Sequence, residues 1–148
     1  MMSFNNEVKL TGMLTINRFD NTGALVETVQ HENLVVTNGK NFIASRMAGT
    51  TSAVMSHMSV GIGTTAANVA DLGLQTEVAI VELSSTTATD NTVTYTATFP
   101  AGTGTDTLTE AGVFNAASAG TMLRRTVFPA INKQAADSIS ITWVVTIS

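Results

Sequence analysis

An all-β fold, a single jelly-roll-like β-sandwich with one short helix, is what the sequence predicts, on three observations. Apolar and polar residues alternate over much of its 148 residues, which is the period of a half-buried strand. Threonine takes 25 of those positions. A β-branched side chain is stiff at χ1 and suits a pleated surface, and its hydroxyl keeps an outer face polar without charge. Turn residues punctuate the chain at the short intervals expected of sandwich strands.

The elements follow in order. Residues 1–7 are expected as an N-terminal arm and residues 8–148 as the sandwich domain. Val8, Leu10, Gly12, Leu14 and Ile16 share one side of the first run, with Lys9, Thr11, Thr15 and Asn17 opposite. Asp20-Asn21-Thr22-Gly23 supplies turn chemistry, and the pattern resumes from Leu25 to Val29, so the two runs form a hairpin. Leu34-Val35-Val36 is short and apolar enough for the core. The period then changes: Phe42, Ile43 and Met47 share a helical face, with Lys40, Asn41 and Ser45 facing away. Asn38 stands where a cap is needed and Gly49 where the helix should stop, which places it near residues 39–48. Beyond Met55 the alternation returns, with Met58, Val60 and Ile62 against Ser59, Gly61 and Gly63.

The second half is strand and turn. Val78 to Leu83 is one strand. Val93, Tyr95, Ala97 and Phe99, set against Thr92, Thr94, Thr96 and Thr98, form the clearest one, stopped by Pro100. Leu108 to Phe114, the Asn115–Gly120 turn, and Met122 to Phe128 ended by Pro129 come next. Ser138 to Ile147 closes the chain with Ile139, Ile141, Trp143 or Val144, and Val145 inward on one or both faces. Seven to nine strands result. No fixed-period repeat argues for a solenoid or propeller.

Composition limits function. Charged residues make up 12% of the chain, about half the usual share. With a net charge of -4 the chain lacks the basic footprint of a nucleic-acid partner. It has no cysteine, which removes disulfides, thiolate zinc sites and cysteine nucleophiles. The N-terminus carries no targeting pattern and no apolar stretch approaches a membrane span, so the protein is expected to be made in the cytoplasm and to stay soluble. No cofactor is expected.

Specific motifs are few. Gly61-Ile62-Gly63-Thr64-Thr65-Ala66 follows a strand and matches a dinucleotide fingerprint, with Glu82 about 20 residues on. That chemistry needs a helix N-terminus inside a βαβ unit, whereas strands soon follow here, so a glycine-permitted bend is the expectation. His31 and His57, the two histidines, lie in strand-like runs without a nucleophile or ligand set. Asp90-Asn91 and Asp106 read as turn formers rather than an oxygen cage for a cation. Glu110 is the one acid in the apolar, small-residue stretch Leu108 to Phe114. It is expected to share a face with Leu108 and Gly112 and either to pair with Arg124 or Arg125 on the next strand or to remain a solvated edge carboxylate. The two arginines must point to opposite faces of their strand.

Several blocks together resemble small virion structural proteins of tailed bacteriophages. They begin with Asn33-Leu34-Val35-Val36-Thr37-Asn38-Gly39-Lys40-Asn41 and Met58-Ser59-Val60-Gly61-Ile62-Gly63-Thr64-Thr65-Ala66. Leu72-Gly73-Leu74-Gln75-Thr76-Glu77, Thr96-Ala97-Thr98-Phe99-Pro100-Ala101-Gly102 and Thr109-Glu110-Ala111-Gly112-Val113-Phe114-Asn115 continue the series. Arg125-Thr126-Val127-Phe128, Ile131-Asn132-Lys133 and Asp137-Ser138-Ile139-Ser140-Ile141-Thr142-Trp143 complete it. The resemblance implies a non-enzymatic role with no catalytic residues. The leading expectation is a head decoration, or cement, protein on the capsid exterior, a homotrimer whose partner is the major capsid protein. A tail, neck or fibre-attachment subunit of the same virion is the alternative.

Overall fold

The computed structural model describes residues 8–49 and 53–148; the expected arm, residues 1–7, lies outside them. Ten strands form two five-stranded antiparallel sheets. The first sheet holds β1 (Leu10–Phe19), β2 (Leu25–Glu32), β6 (Ser85–Thr89), β7 (Thr92–Phe99) and β10 (Ser138–Ile147), in the order β2-β1-β10-β7-β6. The second holds β3 (Leu34–Val35), β4 (His57–Gly61), β5 (Glu77–Glu82), β8 (Asp106–Phe114) and β9 (Met122–Lys133), in the order β3-β9-β8-β4-β5. The fold is therefore an all-β sandwich with one short helix, α1 (Thr37–Met47).

Alternation sorts the side chains between the sheets. Leu14 and Ile16 of β1, Ala97 and Phe99 of β7, and Ile139, Ile141 and Trp143 of β10 point inward against Met58, Val60, Ala111, Val113 and Leu123 of the second sheet. Trp143 pairs across with Leu14 and Tyr95, so the largest side chain sits in the middle strand of its sheet. Four hairpins lie within a sheet: β1–β2, β4–β5, β6–β7 and β8–β9. The Asp20 turn closes the first of them, its carboxylate accepting from the Thr22 N–H at 2.8 Å while Gly23 takes a φ of 82°.

Local expectations depart from the structure at several places. The helix begins at Thr37, and Val36, not Asn38, holds the cap position without a side-chain bond. It seats on the sandwich through Gly39, where a Cβ would run into the Leu123 backbone. Only Phe42 and Ile43 reach the core, and Met47 is 85% exposed. Strand β6 had no apolar signal because all five of its residues are exposed. It is paired to β7 through the two-residue Asp90-Asn91 turn, with Asp90 at a φ of 52°.

Pro129 does not end β9. The β8–β9 register passes from Leu108 opposite Ile131 to Glu110 opposite Val127, so extra residues of β9 bulge out around Pro129. A bulge is where a residue without an N–H is tolerated in a ladder. The same irregularity parts Leu108 from Glu110: Leu108 joins Ala111 and Val113 in the interior, while Glu110 shares the outer face of the second sheet with Gly112, as expected.

That outer face is not open to solvent. The segment from Ile62 to Thr76 folds back across it, tied at its base by the Ile62 N–H to the Thr76 carbonyl at 2.9 Å. Leu74 from this segment packs on a second apolar cluster of Val36, Phe114 and Met122. Gly112 keeps the sheet low enough for Leu74 to lie down, since a Cβ there would stand 3.0 Å from its Cδ2.

Candidate functional site

Glu110 and Arg125 form a buried latch that holds the 62–76 segment. The Glu110 side chain is fully buried. Its Oε2 accepts the Gly63 N–H at 2.7 Å and the Thr76 N–H at 2.8 Å, and its Oε1 accepts the Gln75 N–H at 2.8 Å and Arg125 Nε at 3.0 Å. Arg125 carries the network outward, with Nη1 donating to Asp71 at 2.9 Å and Nη2 to the Thr65 carbonyl at 3.0 Å. Asp71 also accepts the Asn68 N–H at 2.9 Å, and Thr109 Oγ1 donates to the Gly63 carbonyl at 2.7 Å. The carboxylate thus meets donors from both ends of the segment.

Register explains the pairing. Gly112 faces Arg125 directly, and Glu110 faces Val127, so Glu110 and Arg125 are diagonal neighbours on one face, within reach of long side chains. Burial alone would raise the Glu110 pKa. The N–H groups of Thr76, Gln75 and Gly63 and the Arg125 guanidinium outweigh it and hold the carboxyl below its ordinary value.

The glycines of the fingerprint-like motif belong to this latch. Neither Gly61 nor Gly63 has a positive φ, so neither acts as the expected bend. A Cβ on Gly61 would meet the Thr76 carbonyl, and one on Gly63 would meet Gln75 and the Glu110 carboxylate. Close approach is the requirement. The Gly63 N–H serves Glu110 and the Thr65 N–H serves Gln75 Oε1 at 3.0 Å, which commits to the chain itself two amides that a phosphate would need.

Arg124 points the other way, into the sandwich, and makes no contact with Glu110. Its Nη1 donates to Asn33 Oδ1 at 3.2 Å, while Nε and Nη2 are buried without a partner. Gly12 opens the space, because a Cβ there would collide with Nη1 and with Asn33 Oδ1. Burial pulls the guanidinium down to about 10, opposed by Tyr95 beside it, so it is a cation at neutral pH.

The remaining polar residues serve local structure. His31 Nδ1 lies 3.1 Å from Thr126 Oγ1, and His57 Nδ1 lies 2.8 Å from Ser56 Oγ. Asp106 accepts the Thr107 N–H at 2.8 Å. Among the described residues no three His, Asp or Glu side chains converge as a metal set, and no helix is long and apolar enough to cross a membrane. Asp71 and Asn33 had no sequence signal. Their partners lie 54 and 91 residues away.

The outer face of the first sheet is the other feature with functional content. Its cross-strand rows read Thr11–Thr146–Thr92–Thr89, Glu32–Met13–Val144–Thr94–Thr87, Gln30–Thr15–Thr142–Thr96–Ser85 and Thr28–Asn17–Ser140–Thr98. Glu32 is the one charge in these rows. Comparison of the chain with protein-family models, with curated proteins and with solved structures found no match.

Proposed function

We propose that this chain is a non-enzymatic structural protein of a bacteriophage virion, a cement protein that binds the outside of the head and bridges major capsid subunits. The observation that carries this reading is the threonine-rich outer face of the first sheet. Covering hydroxyls rather than charges lowers the desolvation cost of burying a broad surface, because a hydroxyl is readily matched and a charge is not. The 62–76 latch adds rigidity to the opposite side, so the face is presented on a firm base.

Size sets the binding mode. Four rows across four or five strands span roughly 20 Å by 20 Å, about half of the ~800 Å² that one partner gives to a standard interface. One face is a weak binder, and several copies joined in a homotrimer gain by multivalency what one lacks. The test is to mix the purified chain with expanded heads that lack it and to image the particles. Density on the capsid exterior, together with slower head disruption on heating, is the expected result. Density confined to tail or neck would replace the cement assignment with that of an attachment subunit, and the absence of binding to any virion part would end both.

A further inference from the structure

Among the described residues Arg124 is the charged group of the interior that the chain leaves incompletely paired. Its side chain has no exposed surface. Its single hydrogen bond goes to the neutral amide of Asn33. The two free nitrogens, Nε and Nη2, carry the N–H groups that project side by side from one edge of a guanidinium. That fork is the one Arg uses to grip a single acceptor in bidentate fashion. Asn33 Nδ2, on the same side chain that receives Nη1, is a third buried donor without a partner.

We propose that Arg124 holds a small inorganic anion of chloride size on its free Nε/Nη2 edge inside the sandwich. Among the described residues no carboxylate lies within ion-pair distance of Arg124; the ion pairs belong to Arg18 and Arg125. Tyr95, the titratable neighbour, has its pKa raised by burial and is a neutral phenol. A buried guanidinium cannot escape by losing its proton as a lysine can, and a cation in a low-dielectric interior demands a counter-charge. A water molecule on the fork would answer the hydrogen bonds and leave the charge.

Gly12 makes room for the guanidinium under β1, because a Cβ there would collide with Nη1 and with Asn33 Oδ1. Arg124 has no exposed surface, so a counter-ion on it must lie wholly inside the sandwich, which favours a monatomic ion over a carboxylate-bearing metabolite. Glu32, next to Asn33 in the chain, is exposed on the outer face beside Met13, whereas Arg124 faces inward.

Thermal unfolding of the full chain in sodium chloride and in sodium gluconate, at equal ionic strength and pH 7, tests this. Tm should rise by about 2 to 5 °C on going from no chloride to roughly 0.2 M, and a bromide-soaked crystal should show an anomalous peak on the Nε/Nη2 edge. Asn33→Asp places a carboxylate where Nη1 already points, so it should raise Tm in gluconate and abolish the chloride response. Arg124→Met should also abolish the response, and Glu32→Gln should leave it intact. Equal Tm in both salts with water on the fork overturns the proposal. So does a chloride response that survives Arg124→Met, or one that disappears in Glu32→Gln, and a bromide peak elsewhere only marks an adventitious ion.

Discussion

Arg124 and Arg125 are adjacent in sequence and equally buried, yet they occupy opposite sides of β9 and opposite electrostatic settings. Arg125 faces the outer side, where β8 brings it the Glu110 carboxylate and the covering segment the Asp71 carboxylate and the Thr65 carbonyl, and each of its nitrogens has a partner. Arg124 faces the interior, where the link between β2 and β3 offers one amide oxygen. A buried charge contributes to structure only when the fold delivers its partners. On the outer side a mobile class of structure, a loop, has been shaped to do so, and between two rigid sheets it has not.

Breaking the satisfied side should have the largest effect. Arg125→Met leaves the Glu110 carboxylate buried without its cation and should cost about 3 to 5 kcal/mol, seen as a Tm lower by about 10 °C. Amide exchange should accelerate at Gly63, Gln75 and Thr76 before it does in the first sheet. Acid titration probes the same latch. Because the folded pKa of Glu110 is depressed, its stabilisation is full above the unfolded carboxyl value of about 4.3 and is lost as pH falls through the lower folded value. Denaturant unfolding followed from pH 6 to pH 2 should lose less stability in Glu110→Gln than in the parent chain.

Gly63→Ala forces a methyl toward Glu110 and Gln75 and should cost about 1 to 3 kcal/mol as overpacking does, with exchange again faster in the 62–76 segment. Arg124→Met reverses the sign. Removing an uncompensated buried cation for an apolar chain of similar length should raise stability by about 1 to 2 kcal/mol in chloride-free buffer, and a loss as large as that of Arg125→Met would erase the contrast drawn between them. The smallest effect belongs to a third arginine. Arg18 bonds Glu27 at 2.9 Å near the surface, and Glu27→Gln should change stability by less than about 1 kcal/mol, and less still in high salt.

How much of this was legible in the sequence varies with how local the cause is. The threonine alternation of Thr92 to Phe99 and the Asp20 turn are local patterns, and both stand where they were expected. Strand β6 carries no buried residue, so it has no pattern to see and exists because β7 offers a ladder. The helix was located to within two residues at its start, but its weak amphipathicity misplaced Met47. Glu110 was singled out by its apolar surroundings, and Arg125 was one of two partners weighed for it. The choice between them waited on which face each side chain took, and the β8–β9 register decided that by setting Gly112 opposite Arg125 and Val113 opposite Arg124.

By itself, then, the sequence determined that this chain is a β protein of low charge, with one helix after the third apolar run and a carboxylate needing a donor in β8. Period and composition suffice for such statements because they act over a few residues. Only the tertiary structure decided that Gly61 and Gly63 make room for the 62–76 segment, that Asp71 and Thr65 complete Arg125, and that Arg124 lies in the interior with no partner from the chain on its Nε/Nη2 edge. Those outcomes join residues up to 91 positions apart, and contacts across that separation are set by sheet register and by the path of a covering loop, which no local pattern encodes.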